Sequence, residues 1–332
     1  MNPPKATDTD YILFLLASPK TVTATEAART VHDETHDPAH DAFNRLLYRQ
    51  PSDTSAVWNE AKTLVDMTGG VLVLDDSTLD KPYAHDTELV VYHWSGKHHQ
   101  VVRGINLLTL LWTDGKALVP CDFRLYDKPL GGNTKNESFR AMVTESRARG
   151  MQPTMVLFDS WYASLENLKF LRDSAKLPWF TRFAANRMVS TNHHNAPISG
   201  VEIPVFGQVV HLRGYGFIRV FRTKNSDGEL QYWATSNLDM TERERAAFEK
   251  QGWGIEIYHR GLKQCCNVER CQARRTPAQW GHIQLSLRAF LRLEAHRLRT
   301  GVSWYEAKIK VVRAAVRDFI RNPFVPRAFA TA

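Results

Sequence analysis

The chain has 332 residues, 43% of them hydrophobic and 23% charged, which is enough apolar material to bury a sizeable core and excludes wholesale disorder. That length suits one large domain with an appendage, or two domains. The net charge of +8 is unevenly laid out: residues 257–332 hold fifteen Lys or Arg against four Asp or Glu, a net of +11, so the first 256 residues sum to −3. A basic C-terminal stretch favours a polyanionic partner. The four cysteines, Cys121, Cys265, Cys266 and Cys271, form no disulfide framework, which suits a reducing compartment. The apolar run from Tyr11 to Ala17 is too short for a membrane span and lacks a basic flank before it, so the expected location is the cytoplasm.

Residues 1–65 read as short helices: Asp10 to Ala17, a second capped by Thr23 or Thr25 and ending at His32, Ala39 to Arg49, and Thr54 to Met67. They suit either a helix-turn-helix reader presenting Asn44, Arg45 and Arg49 to DNA, or a helical cap; five basic against nine acidic residues in 1–60 weaken the first. Residues 66–332 then read as one catalytic domain. Val71 to Leu74 is a buried strand ending in Asp75-Asp76, Val101 to Trp112 a second, Thr113 to Lys116 a hairpin turn, and Ala117 to Tyr126 a third. A helix over Lys135 to Arg149, a strand from Thr154 to Phe158 ending at Asp159, a helix over Ala163 to Asp173 and a strand from Trp179 to Phe183 follow. A three-stranded meander followed by alternating helix and strand is the order of an RNase H-like α/β fold. At about 190–236 the pattern alternates with period two and reads as a β-rich insertion. In it His211, Arg213, Tyr215, Phe217, Arg219 and Phe221 share one face. Helices resume at Thr241, whose Glu244 completes a capping box, and continue to about Arg321.

Asp76 and Asp159 each follow a hydrophobic strand and precede a serine, and carboxylates at strand ends sit at a sheet rim where ligands bind. Taken singly, each is more often a turn residue. The segment Trp253-Gly-Ile-Glu256 through Lys263-Gln264 places Glu256, Arg260 and Lys263 at i, i+4 and i+7 of one helix face. That is either a solvated face with a salt bridge or a metal ligand beside phosphate-gripping cations.

In this order Val73-Leu-Asp-Asp76-Ser-Thr78, Leu157-Phe-Asp159-Ser-Trp-Tyr162 and the Trp253 to Gln264 block resemble the DDE transposases of bacterial insertion sequences. The nearest likeness is to the insertion-sequence 701 family and its relatives in the insertion-sequence 4 group, over about residues 65–320. The spacings of 83 and then 97 residues suit a catalytic domain with a β-rich insertion before the glutamate helix. The resemblance implies that Asp76, Asp159 and Glu256 are catalytic metal ligands, and that Lys263 contacts DNA at the active site. Asp76 is preferred to Asp75 because the family's aspartate directly precedes a Ser/Thr pair. Relatives in the insertion-sequence 4 group carry Tyr and Arg seven and four residues before the glutamate; this chain has Glu249 and Gly252, with Arg260 as the candidate replacement cation. The implied reaction cleaves element ends and joins their 3′-hydroxyls to target DNA, using two Mg²⁺ ions about 4 Å apart, with Mn²⁺ as a substitute. Hard cations of this kind take oxygen ligands. The implied partners are double-stranded DNA of the terminal repeats and the target, with a homodimer holding two ends. An RNase H-like nuclease without strand transfer, and a non-catalytic DNA-binding descendant, remain the alternatives.

Other features rank lower. Cys265, Cys266 and Cys271 with His259 lack the paired spacing of a zinc site. His98-His99 and His193-His194 read as surface or loop residues, and Asp122 as a possible support for the site. Arg288, Arg292 and Arg299 form a helical stripe expected to contact phosphates, as are Arg213 and Arg219 in the insertion, whose aromatics would stack on unpaired bases.

Overall fold

The structure is a computed structural model that describes residues 4–20, 22–32, 35–95, 100–126, 132–191 and 194–322. His98, His99 and His193 lie outside the described residues, and His194 is exposed. The chain forms two compact units, Trp58–Pro82 with Leu89–Tyr258, and Met1–Val57 with Tyr83–Glu88 and His259–Ala332.

The unit built from 58–82 and 89–258 holds a mixed sheet. Its strands are β1 (Val71–Asp80), β2 (Val91–Ser95), β3 (Gln100–Thr113), β4 (Val119–Leu125), β5 (Met155–Phe158), β6 (Trp179–Phe183), β7 (Met188–Thr191), β8 (His194–Pro197), β9 (Gln208–Leu212), β10 (Gly216–Lys224) and β11 (Leu230–Thr235). Their order is β2-β3-β1-β5-β6-β11-β10-β9-β7-β8, with β4 also paired to β3. Within it β4-β3-β1 is the antiparallel meander, and β5 and β6 add in parallel beside β1, which is the RNase H-like arrangement. The inner strands are apolar on both faces because both are covered: all four residues of β5 and the first four of β1 are buried.

The strand after Leu74 does not stop at the aspartates as its apolar run suggests. β1 stays paired with β3 from Val71↔Thr113 to Asp80↔Gly104, whereas its parallel neighbour β5 ends at Phe158, opposite Leu74. Asp75 and Asp76 therefore lie within a strand, at the step where the sheet opens on the β5 side, next to Asp159. The insertion is continuous with the core sheet, since β11 pairs antiparallel with β6 from Tyr232↔Phe183 to Thr235↔Phe180. β2 has no counterpart among the strands read from the sequence. Helices α5 (Lys135–Ala148), α6 (Leu165–Phe170) and α7 (Glu242–Gly252) belong to the same unit; Thr241 and Glu244 form both bonds of the expected capping box.

The other unit is helical: α1 (Asp8–Ala17), α2 (Ala24–Val31), α3 (His40–Tyr48), α9 (Thr276–Thr300) and α10 (Trp304–Arg321). The short α4 (Ser55–Ala61) and α8 (Gly254–Cys266) straddle the unit boundaries. The sequence pattern places a boundary near 65, with the C-terminal helices inside the catalytic domain; in the structure those helices gather with the N-terminal ones. The reason is packing. Phe43, Leu46 and Leu47 of α3 are buried, and α1 and α3 both contact α9. In the three-helix reading Arg45 and Arg49 face DNA; here Arg45 pairs with Asp41 at 2.5 Å and Arg49 donates to the carbonyl of Ala6.

Helix α9 has no acid in its first turn, and its N-cap residue Arg275 makes no side-chain cap bond. Glu88 fills the gap: it accepts from the Thr276 backbone N–H at 2.6 Å and from Arg275 at 2.8 Å. The Thr276 N–H, and then Arg275, lower its carboxyl to about 2. Because the folded value lies below the ordinary one of 4.5, the unfolded chain binds the extra proton between them. This contribution is present above the unfolded value and is lost as pH falls through 4.5 towards 2. Urea unfolding of Glu88→Gln across that window is expected to fall less steeply with acid than wild type. Equal slopes would mean that Glu88 caps nothing in solution.

Candidate active site

A cavity of about 650 Å³ opens in the sheet-bearing unit beyond the end of β5. Asp75, Asp159 and Glu256 all line it, and Phe180, Trp233, Phe248 and Trp253 form its apolar wall. Each acid arrives from a different element. Asp75 is the fifth residue of β1, and Asp159 follows β5 directly and begins a one-turn 3-10 helix over Ser160–Tyr162. Glu256 is in the first turn of α8.

The adjacent Asp76 does not line the cavity. Successive side chains of a strand point to opposite faces, so one of the two aspartates must turn away from Asp159. The Asp76 carboxylate instead receives three donors: Asn106 Nδ2 at 2.6 Å, Lys135 Nζ at 2.8 Å and the Tyr162 hydroxyl at 2.7 Å. Asp76, expected as a ligand, thus has three donors on its carboxylate, and it is Asp75 that shares the cavity with Asp159 and Glu256.

The charges follow this division. Burial, and then repulsion from the Asp76, Glu256 and Asp159 carboxylates, hold the Asp75 carboxyl well above the usual carboxylate range. Burial also pushes on Asp76, but the Lys135 ammonium and the three donated hydrogen bonds outweigh it and leave that carboxyl below its ordinary value. Among the cations that line the cavity, Arg182 approaches Asp159 at 3.4 Å, with its guanidinium 5.8 Å from the Trp233 ring centre. Among the described residues no three His, Cys, Asp or Glu side chains are gathered closely enough to hold a metal ion; Asp75, Asp159 and Glu256 line a common cavity.

The expected DNA-contacting cations separate into two kinds. Arg213, Arg260 and Arg299 are exposed and Arg292 is half-buried. Lys263 pairs with Glu269 at 3.1 Å. Arg219 donates to the carbonyls of Leu238 and Phe206 at 2.8 and 2.7 Å, and Arg288 pairs with Asp8 at 2.5 Å. Those two guanidiniums therefore have partners within the chain. The expected common face of the insertion also divides: His211 and Phe217 are exposed, with their rings 5.6 Å apart, whereas Tyr215 and Phe221 are buried. Asp122 is buried on β4, accepts from the Phe123 N–H at 2.8 Å and pairs with Arg124. Where the relatives carry Tyr, Glu249 is held by the buried Arg245, which also pairs with Glu242 at 2.7 Å.

Sequence reasoning missed Lys135, Asn106 and Tyr162. Only Tyr162 carried a signal, as the last residue of the Asp159 motif.

The profile of the family described as DDE superfamily endonuclease matches residues 6–200, which include Asp75 and Asp159. No curated protein matches the chain by sequence. Among solved structures, a piggyBac transposase in a synaptic complex with hairpin DNA superposes with a TM-score of 0.55 at 13% identity, over 99% of this chain and 75% of the other. A Drosophila P element transposase strand transfer complex gives a TM-score of 0.30 at 9% identity, over 96% and 86%. A Mos1 transposase paired-end complex gives 0.20 at 10%, over 94% and 80%. The first likeness is one of fold. Among the described residues no helix is long and apolar enough to cross a membrane.

Proposed function

The chain belongs to the DDE superfamily of endonucleases, and on that premise we propose that it is a transposase, cutting the ends of a DNA element and joining the freed 3′-hydroxyls to target DNA. The observation that carries the reading is the single cavity shared by Asp75, Asp159 and Glu256. The Trp253 to Gln264 block favours the insertion-sequence 701 family within that superfamily.

The donor types suit hard divalent cations, since the three acids that line the cavity all offer carboxylate oxygens. Bound Mg²⁺, or Mn²⁺ in its place, would supply a nucleophile at neutral pH and neutralise charge on the attacking and leaving oxygens. Asp75, Asp159 and Glu256 are the ligands in this proposal, and Asp76 is not. Arg182, beside Asp159, is placed to steer a phosphate towards the acids. Lys224 and Lys250, which also line the cavity, add cations along the path of a DNA backbone. Lys263 and Arg260 keep the DNA contacts that the resemblance assigns them, with a phosphate taking the place of Glu269 on Lys263. Arg213, Arg292 and Arg299 extend that contact, and two chains hold two ends as a homodimer.

The test is incubation of the full chain with candidate terminal repeats, a target plasmid and Mg²⁺, followed by mapping of product ends. Cut ends covalently joined to target are expected. Cutting without joining would assign a nuclease, and binding without cutting would assign a DNA-binding protein that has lost its chemistry.

A further inference from the structure

Asp76 is the most heavily engaged carboxylate next to the cavity, and the proposed reaction gives it nothing to do. Its three donors come from three different elements. Asn106 lies on β3, Lys135 is the first residue of α5, and Tyr162 closes the turn that begins at Asp159. Tyr162 is tied to Asp159 a second time, through its backbone N–H, which donates to the Asp159 carbonyl at 3.0 Å. Its own carbonyl accepts from the buried Asn167 at 2.9 Å, and its ring stacks on Phe139 with centroids 5.7 Å apart. The hydroxyl of Tyr162 therefore fixes one end of a short, rigid link whose other end is the Asp159 peptide.

We infer that Asp76, Tyr162 and Lys135 form a positioning device for the active site: Asp76 holds Tyr162, and Tyr162 sets where the Asp159 carboxylate stands opposite Asp75. The inference rests on the site proposed above. The arrangement uses the two faces of β1 for two tasks. Asp75 lines the cavity, while one residue later Asp76 clamps the turn that follows the neighbouring strand. Lys135 completes the device by pairing with the same Asp76 carboxylate at 2.8 Å. Its ammonium also lies 5.3 Å from the Trp161 ring centre and 5.6 Å from that of Tyr126, so aromatic faces as well as Asp76 hold it. Groups that orient metal ligands from behind commonly change metal affinity or activity by about 10–100-fold when removed.

The experiment titrates Mn²⁺ into the full chain by electron paramagnetic resonance and measures end cleavage at limiting and at saturating Mg²⁺. Tyr162→Phe deletes a single oxygen and keeps the ring on Phe139. It is expected to raise half-saturating Mn²⁺ by about 10-fold and to slow cleavage at limiting Mg²⁺ by about 10–100-fold. Saturating Mg²⁺ should restore most of the rate, and DNA affinity should not change. A variant with unaltered Mn²⁺ affinity and unaltered cleavage at limiting Mg²⁺ overturns the positioning role. Asp76→Asn keeps an acceptor for Tyr162 and should lie between wild type and Tyr162→Phe. Should Asp76→Asn abolish Mn²⁺ binding while Asp75→Asn leaves it intact, Asp76 is itself a ligand, and the site proposed above fails together with this inference. Failure of the Tyr162 arm alone leaves that site standing.

Discussion

Asp75→Asn is expected to lower end cleavage by roughly 10²–10³-fold, the range seen when one preorganised charge-stabilising group is removed from an active site. The substitution keeps the size and shape of the side chain and removes only its charge. Asp75 shares the cavity with Asp159 and Glu256, so Asp159→Asn and Glu256→Gln should fall by a similar factor. Asp76→Asn should fall less, because its carboxylate faces Lys135, Asn106 and Tyr162 and not the cavity. DNA affinity should hold or rise slightly in the three cavity variants, since each removes a negative charge from the neighbourhood of the phosphates. Single-turnover cleavage of labelled end DNA gives the rate, and fluorescence anisotropy of the same DNA gives the affinity. The ranking of the two neighbouring aspartates is the discriminating result. An Asp75→Asn protein that cuts at near wild-type rate beside an inert Asp76→Asn protein would reverse the assignment.

The sequence favours Asp76 because the family's aspartate directly precedes a Ser/Thr pair, and the pleat that separates Asp75 from Asp76 is hidden by where the apolar run ends. An apolar run stops at the first carboxylate, which makes Asp75 and Asp76 look like two residues of one turn. The strand continues to Asp80 because β3 supplies a partner along its whole length, and the side chains from Asp75 to Thr78 are polar because the β5 side is open there. Inside a strand the two aspartates must face opposite ways, and the register Leu74↔Phe158 puts Asp75 level with Asp159. That register is a long-range fact with no local trace. Features set by neighbours in sequence were legible: the apolar runs of β5 and β6, the Thr23 cap, and the Thr241 and Glu244 box. Features set by distant partners were not. Arg288 reads as one member of a stripe expected to contact phosphates, and its pairing with Asp8, 280 residues away, leaves no local trace. The insertion looked like an interruption until Thr235 paired with Phe180.

The same dependence on distant packing makes Gly281→Ala in α9 a substitution expected to cost stability. On propensity alone it should help, since Ala is favoured over Gly in a helix interior by about 1 kcal/mol. A Cβ at 281, however, would stand 2.2 Å from the carbonyl oxygen of Leu47 and 3.0 Å from its carbon. Both are backbone atoms at the end of α3, and no rotamer can move them aside. α3 cannot easily retreat, because Phe43, Leu46 and Leu47 are buried within the same helical unit. Forcing extra volume into such a contact typically costs about 1–3 kcal/mol, and occasionally more. The clash therefore outweighs the propensity gain, and the urea midpoint of the helical unit should fall. Gly200→Ala is the control: a Cβ there meets nothing within 4 Å, and the midpoint should hold. Gly261→Ala should fall between the two, since its Cβ would lie 2.7 Å from the Trp304 ring, a side chain that can shift where a backbone carbonyl cannot. A Gly281→Ala chain as stable as wild type would mean that α3 and α9 do not approach each other this closely in solution.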